Sequence, residues 1–341
     1  MMAHILRRLL MLPVVLFGVS ILLFLILQLL SPEQRAVSFV TSERQMNQLD
    51  AIIDRYGLDE PVWVQYGNWL GQILQGNLGW SQSVRMPVSQ AISLYLPATA
   101  ELALAAFFPI VLIGIWLGVL AATHRDKLLD QITRVLAIVG WSLPSFVVAL
   151  WLLQIFYGGL GWLEPGRVSL VSELAISLPD FKSYTHLLLL DSLLNGRLDI
   201  FWDVARHLIL PVFALTIISS AQLVRVMRSS MLEALGQDYV RTARAKGLAN
   251  RRVVYKHALR NAMIPVLTLA GLVLFGLLGG VVITETVFNY PGLGNWSAKA
   301  AVQLDIPAVL GYAMFSALVV SVANLVVDVT YGLVDPRIRY Q

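Results

Sequence analysis

The sequence predicts an all-α integral membrane protein of about six transmembrane helices, and three observations carry that prediction. Of its 341 residues, 57% are apolar and 13% charged, with a mean hydropathy of +0.71. A soluble domain carries about a quarter charged residues, so much of this chain's surface is built for lipid. Six stretches, 9–30, 97–122, 135–159, 207–227, 263–288 and 307–330, match the roughly 20 mostly apolar residues needed to cross about 30 Å of hydrocarbon. The segments between them differ sharply in basic charge. With the N-terminus inside, 16 of the 25 lysines and arginines fall on short inner segments: Arg7, Arg8, Arg125, Lys127, Arg134, Arg225, Arg228, Arg337, Arg339 and the basic residues of 238–261. That bias places both termini in the cytoplasm.

Taken in order, residues 1–30 form a cytoplasmic N-terminus and a first span. The apolar stretch is too long for a signal-peptide core and lacks a small-x-small cleavage site, so it reads as a retained anchor. Residues 31–96 form an exterior segment. It contains a helix-like piece from Gln45 to Tyr56, the stop signal Gly57, and the aromatic run Trp63, Tyr66, Trp69, expected as a small cap at the membrane interface. Residues 97–341 hold the other five spans. The exterior segment 160–206 is punctuated by Pro165, Gly166, Pro179 and Gly196 and receives no assignment.

Within the spans, ionisable residues avoid the bilayer midplane, where a proton- or sodium-coupled carrier needs them. Glu101 and Glu285 lie at outer ends, Arg225 and Asp328 at inner ends, each able to snorkel or pair. Gln28, Gln154, Gln222 and Asn324 can line a path or cross-link helices. Gly114 and Gly118 stand at GxxxG spacing, and Gly271, Gly276, Gly279 and Gly280 cluster in the fifth span, pointing to close helix packing.

The segment 228–262 is unusual for a membrane connection. Asp238 is expected to cap a helix from Tyr239 to Lys246, Gly247 to end it in the left-handed conformation, and Asn250 to cap a second helix from Arg251 to about Asn261. Tyr239, Ala243 and Lys246 share one face of the first helix; Val254, Ala258 and Ala262 share one face of the second. Setting topology needs only a few cations near span ends. A capped helix pair instead suggests a docking element that transmits a partner's motion into the spans. Recognition of nucleic acid is disfavoured, because the segment starts and ends too close to the membrane to reach a groove.

Other chemistry finds no residues. There is no cysteine, no GxxxxGK[ST] phosphate loop, no HExxH or other metal spacing, and no nucleophile motif. His4, His124, His186, His207 and His257 are expected to be solvated or interfacial. No catalytic residue and no metal site is expected. Six spans without an internal motor or a coupling-ion site suggest one part of a larger machine.

The run ARAKGL (Ala243 to Leu248) followed by HALRNAMIP (His257 to Pro265) resembles the cytoplasmic loop of permease subunits of bacterial ABC importers in the dipeptide, oligopeptide and nickel branch. The wider importer signature is EAA, three residues, Gly, nine residues, I-x-L-P. Arg241, Thr242, Ala243 and Gly247 fall on its first part, and His257, Leu259 and Arg260 on its second. Arg241 replaces the acid and Arg260 the proline, departures that look typical of the peptide branch. Further similar segments are YGLDEPVWVQYGNWL (Tyr56 to Leu70), GNLGWS (Gly76 to Ser81), LPATAELALAA (Leu96 to Ala106), TETVFNYPGLG (Thr284 to Gly294) and DPRIR (Asp335 to Arg339). Ser31-Pro32-Glu33-Gln34-Arg35 departs from the PGDP-like turn common after the first span.

The resemblance implies a type I ABC importer transmembrane fold with no cofactor in this chain. ATP and Mg are expected on two cytoplasmic ATP-binding subunits. A second homologous permease and an exterior substrate-binding protein complete the expected partners, beside membrane lipid. The implied cargo is a short peptide, with nickel or another small solute as the alternative within the branch and a stand-alone carrier or channel outside it. The implied ATPase-coupling loop comprises Asp238, Arg241, Thr242, Ala243, Arg244, Ala245, Lys246, Gly247, Leu248, His257, Leu259 and Arg260. A possible outer gate comprises Glu285, Tyr290, Pro291 and Gly292.

Overall fold

A computed structural model describes the backbone of residues 2–334 and the side chains of residues 9–326. The expected inner-end side chains Arg7, Arg8 and Asp328 and the segment 335–339 lie outside the described residues. The first span is α1, Met2–Leu27. A small cap follows, with α2 at Pro32–Ala36, α3 at Leu49–Tyr56, α4 at Val62–Leu74 and a hairpin of β1, Trp80–Ser81, and β2, Met86–Pro87. Then come α5, Val88–Thr123, α6, Leu128–Ser142, and α7, Ser145–Leu153. Two short helices, α8 at Leu170–Ser177 and α9 at Leu188–Leu194, precede α10, Leu198–Gly236. The chain closes with α11, Asp238–Ala245, α12, Asn250–Arg252, α13, Leu259–Leu278, α14, Val282–Val287, α15, Leu293–Val302, and α16, Ile306–Val334.

At 39 residues, α10 is roughly 58 Å long at the α-helical rise and projects beyond the hydrocarbon. It is the central helix. Of its most apolar stretch 61% is buried within the chain, against 17% for α1, which packs at the periphery on α16. The main contact is between α10 and α5, and glycine makes it possible. A Cβ on Gly114 would lie 2.6 Å from Leu223 Cβ, and one on Gly118 would lie 2.5 Å from Met227 Cβ. Both pairs repeat every four residues, so the GxxxG face of α5 receives one ridge of α10. Gly140 does the same for α6, against the Ile217 carbonyl. The outward faces carry exposed Val135, Leu136, Ile138, Val139 and Trp141 on α6 and Phe108, Leu112 and Trp116 on α5. Water does not tolerate apolar surface of this extent, and lipid requires it.

Two expected spans are interrupted. The stretch 135–159 starts earlier, at Leu128, and bends by 98° between α6 and α7. Pro144 causes the break: Leu143 before it is extended at φ −79°, ψ 130°, as a residue preceding proline prefers. The stretch 263–288 ends as a span at Leu278; Gly280, at φ +104°, turns the chain into the separate α14. Among the described residues a Cβ on Gly276 would meet nothing within 4 Å, whereas one on Gly280 would lie 2.8 Å from the Tyr312 hydroxyl, so Gly280 both turns the chain and packs against α16.

The cap binds α1 more tightly than an interfacial aromatic belt would. The expected helix 45–56 divides into a 3-10 turn, Glu43–Asn47, and α3, which ends at Gly57 with φ +61°. Tyr66 donates to or accepts from Ser20 and packs on Phe24, and Trp69 is buried; only Trp63 of the aromatic run is largely exposed. Gln28 Nε2 donates to Gln65 Oε1 at 3.0 Å, and Arg35 donates to both glutamine side chains. Gln28 therefore cross-links α1 and α4. In 160–206, the Asp191 carboxylate organises the turn before α9 by accepting from Thr185 N–H, its hydroxyl and the Ser183 hydroxyl. His207 corrects the expectation for the histidines: it is buried on α10, with Nδ1 2.8 Å from the Asp203 carbonyl.

Candidate functional site

We call the end of the bundle bearing α11 the inner end and the opposite end, bearing the cap, the outer end. The inner hairpin is a rigid unit with an explicit local cause. Gly247 takes φ +74° after α11. Its N–H donates to the Arg244 carbonyl at 2.9 Å, and Leu248 N–H donates to the Ala243 carbonyl at 3.3 Å. These two bonds form a Schellman motif, which satisfies carbonyls that the end of a helix leaves unpaired. Leu248 then packs on the main core.

The structure corrects both expected caps. Asp238 is the first residue of α11 rather than its cap; Gln237 holds the capping position without a side-chain bond, and among the described residues the Asp238 carboxylate meets only Arg241, at 3.5 Å. Asn250 likewise opens α12, after Ala249. The second helix does not stop at Asn261. It continues from α12 through a π-helical turn, Val253–Ala258, directly into α13. One unbroken helix thus joins the hairpin to the fifth span.

The buried face of α11 is Val240 and Ala243, with Tyr239 and Lys246 exposed, so the expected face shifts by one residue. Val253, Val254, Ala258 and Ala262 are buried on the second helix and share a core with Met227, Met231 and Ala234 of α10. Exposed residues include Asp238, Arg241, Thr242, Arg244, Ala245, Lys246, Gly247 and Arg260, while Leu248, His257 and Leu259 are half-buried. The hairpin presents charge outward and is locked to two long helices by its apolar face. Arg251, Arg252, Tyr255 and Lys256 line a shallow concavity beside it.

A second anchor stands at this end. Arg228 of α10 donates to both Asp130 oxygens, at 2.6 and 2.8 Å, and the fully buried Asp130 also accepts Asp126 N–H. Arg225 lies over the Trp141 ring at 5.8 Å.

At the outer end, three of the four expected gate residues, Glu285, Tyr290 and Gly292, lie in or against a buried polar network. Glu285 is fully buried. It accepts the Thr99 hydroxyl at 2.8 Å and Asn295 N–H at 3.0 Å; Thr99 Oγ1 in turn accepts Leu293 N–H at 2.8 Å. Tyr290, also fully buried, donates its hydroxyl to Glu101 at 3.2 Å. Glu101 pairs with Arg167 at 2.8 Å and accepts Leu189 N–H at 2.6 Å. Gly292 has no room for a side chain: a Cβ there would lie 2.4 Å from Glu285 Oε2 and 2.5 Å from Thr99 Oγ1. Pro291 is exposed. The network clasps α5, α14, α15 and the segment 160–206 together. Sequence reasoning missed Thr99, Arg167 and Asn295. Thr99 and Asn295 lie in or beside quoted segments, while Arg167 sits in an unassigned loop with no local signal. Among the described residues, no group of three or more His, Cys, Asp or Glu gathers as a metal site.

Comparison with known proteins agrees with this architecture. Residues 114–340 match the family of binding-protein-dependent transport system inner membrane components, and residues 1–103 match that system's N-terminal membrane component. The chain is 42% identical over 344 residues to a di/tripeptide transport system permease protein of Pseudomonas aeruginosa. It is 38% identical over 346 residues to a dipeptide transport system permease protein of Escherichia coli, and 37% identical over 342 residues to an oligopeptide transport system permease protein of Bacillus subtilis. Each alignment covers 100% of both chains.

Proposed function

From the chain's membership of the family of binding-protein-dependent transport system inner membrane components, we propose that it is the transmembrane subunit of an ATP-driven importer that carries short peptides across the bacterial cytoplasmic membrane. The chain is a multi-pass inner-membrane component. Its basic end faces the cytoplasm, with both termini inside, as the lysine and arginine bias supports. The peptide cargo is supported by full-length likeness to permeases named for dipeptides, di/tripeptides and oligopeptides.

The observation that carries the mechanism is the inner hairpin: exposed, charged, and continuous in one helical path with the fifth span. The chain has no phosphate loop, so ATP and Mg bind on two separate cytoplasmic subunits and this chain is non-catalytic. Those subunits grip residues 238–260. When ATP closes them, α11 moves as a rigid body, because its Schellman turn and buried Val240 and Ala243 leave little slack. The motion passes through α10 and the α12–α13 helix to a second, homologous permease and the shared path. At the outer end, Glu285, Tyr290, Pro291 and Gly292 hold the closed arrangement, and an exterior binding protein delivers peptide there.

The test is reconstitution of the full complex in proteoliposomes. Uptake of labelled dipeptide is expected only with ATP, both ATPase subunits and the binding protein; uptake by this chain alone ends the reading. Ala243→Glu is expected to leave insertion intact while ATP hydrolysis no longer drives uptake. Glu285→Gln is expected to alter transport, and unchanged transport removes the outer gate from the mechanism.

A further inference from the structure

The first span stands partly away from the bundle and leaves a cleft behind it. On α1 the buried residues, Ser20, Leu23, Phe24 and Leu27, all belong to its outer part. From Leu9 to Val19 no residue is buried. Met11, Val14 and Val15 turn away from the cleft and are exposed, while Leu12 and Leu16 line it and are half-buried. The cleft is a cavity of about 600 Å³, walled by Leu12, Leu16 and Phe17 of α1, Ile73 of α4, Ile92 of α5 and Phe315 of α16. These walls are apolar. Ser20 reaches the cavity, but its hydroxyl is already bonded to the Phe17 carbonyl and the Tyr66 hydroxyl, each at 2.8 Å. Ser89, in the first turn of α5, and Leu74, at the end of α4, are exposed and form the rim at the outer end. Phe17 is 52% exposed and Leu318 of α16 is 42% exposed, so the cleft also opens sideways onto the surface of two membrane spans.

Chemistry and size together select what fills this space. An apolar cavity excludes water, and its inner walls offer a polar ligand nothing to bond. Left empty, the walls forfeit their dispersion contacts. A neighbouring helix is too thick: a 12 Å length of helix, 10–12 Å across with its side chains, takes up about 900 Å³ or more. A methylene occupies nearly as much space as a water molecule, about 30 Å³, so the cavity has room for roughly 20 carbons, which is one acyl chain and not two. The length agrees. From Ser20 to Leu12 the lining runs roughly 12 Å at the helical rise, against about 15 Å for half of the hydrocarbon. The cleft is continuous with the exposed apolar surface of α1, so a chain enters it sideways without leaving hydrocarbon. We propose that the cleft between α1, α4, α5 and α16 binds one acyl chain of a phospholipid from the leaflet at the outer end, held between protein walls rather than exchanging with the surrounding bilayer. The chain fills the gap between α1 and α5 and so ties the cap-bearing first span to the bundle.

The test is photo-cross-linking of the assembled complex in nanodiscs that contain a trace of phosphatidylethanolamine with a diazirine at the end of one acyl chain. Adducts are mapped by mass spectrometry. They are expected on residues 12–20 of α1 and 314–318 of α16, at a higher yield than on the exposed face of α6, residues 135–141, which meets exchanging lipid. Leu16→Trp fills the cleft, and Ser89→Trp blocks its rim. Each should lower the cleft adducts at least roughly tenfold, the ratio set by about two methylenes losing their burial, and leave those on α6 unchanged. Val15→Trp adds an indole to the opposite, exposed face of α1 and should change neither. After exhaustive exchange into detergent, native mass spectrometry should count one phospholipid fewer per copy of this chain in Leu16→Trp and Ser89→Trp than in wild type and Val15→Trp. Equal cleft labelling in all four proteins, an equal lipid count in all four, or a cleft yield no higher than that on α6 reduces the cleft to ordinary bilayer contact and overturns the proposal. A cleft left unlabelled while α6 is labelled means that another protein covers it, which overturns the proposal as well.

Discussion

Replacing Gly247 isolates the backbone of the inner hairpin from everything else in the protein. The residue sits at φ +74°, and no atom lies within 4 Å of the position a Cβ would take. Gly247→Ala therefore introduces no clash. It adds only the cost of holding an L-residue in the left-handed region, about 1–2 kcal/mol. For a local two-state turn, that is a roughly 5–30-fold fall in the ratio of intact to opened hairpin. Gly247→Asn should cost less, because asparagine visits this region more readily. Gly247→Pro cannot form the turn: its ring sets φ near −65°, and it lacks the N–H that bonds Arg244. The expected order of function is wild type, Asn, Ala, Pro. The chain contains no cysteine, so a single cysteine at the exposed Ala249 gives a clean cross-linking probe. Cross-link yield to the ATPase subunit and peptide taken up per ATP hydrolysed should fall together along the series. A Gly247→Pro complex that cross-links and transports like wild type would refute the rigid-hairpin argument.

Three further outcomes follow from packing and charge. Gly118→Leu drives a side chain into Met227, where even a Cβ would approach to 2.5 Å; a loss of about 1–3 kcal/mol should appear as a lower melting temperature in detergent, with Gly276→Leu as the near-neutral control. Arg228→Ala leaves the buried Asp130 carboxylate with only the more distant Arg134, at 3.9 Å, and the Asp126 N–H, a loss of at most about 3–5 kcal/mol; the double variant with Asp130→Asn should recover much of it, and strictly additive losses in thermal unfolding would contradict the pairing. At Asp191, burial works to raise the carboxyl, but hydrogen bonds from Thr185, Ser183 and Tyr184 outweigh it and leave the carboxyl below its ordinary range. Its stabilisation of 183–195 is therefore complete at neutral pH and is lost as pH falls through that lowered value. Protection factors across the segment, with the pH dependence of intrinsic exchange divided out, should be flat from pH 7 to pH 5 for wild type, and Asp191→Asn should be unprotected throughout.

The features readable from the chain are those whose energy is local. Transfer of about 20 apolar residues into hydrocarbon depends on composition alone, so the six stretches announced themselves, as did the helix ends at Gly57 and Gly247, where a left-handed residue is needed within one turn. Pro144 and Gly280 were visible as residues, but the 98° bend and the separate α14 depend on what the broken ends pack against. Caps were misread at Asp238 and Asn250 because a helix start shifts by one residue at small cost, and tertiary contacts chose the register. The polar pairs were beyond reach. Thr99 and Glu285 stand 186 positions apart, Glu101 and Tyr290 189, and Asp130 and Arg228 98. Hydropathy tells a charged residue only that it must find a partner away from lipid; which partner it finds is set when α5, α6, α10 and α14 pack together and bring distant side chains within 3.2 Å.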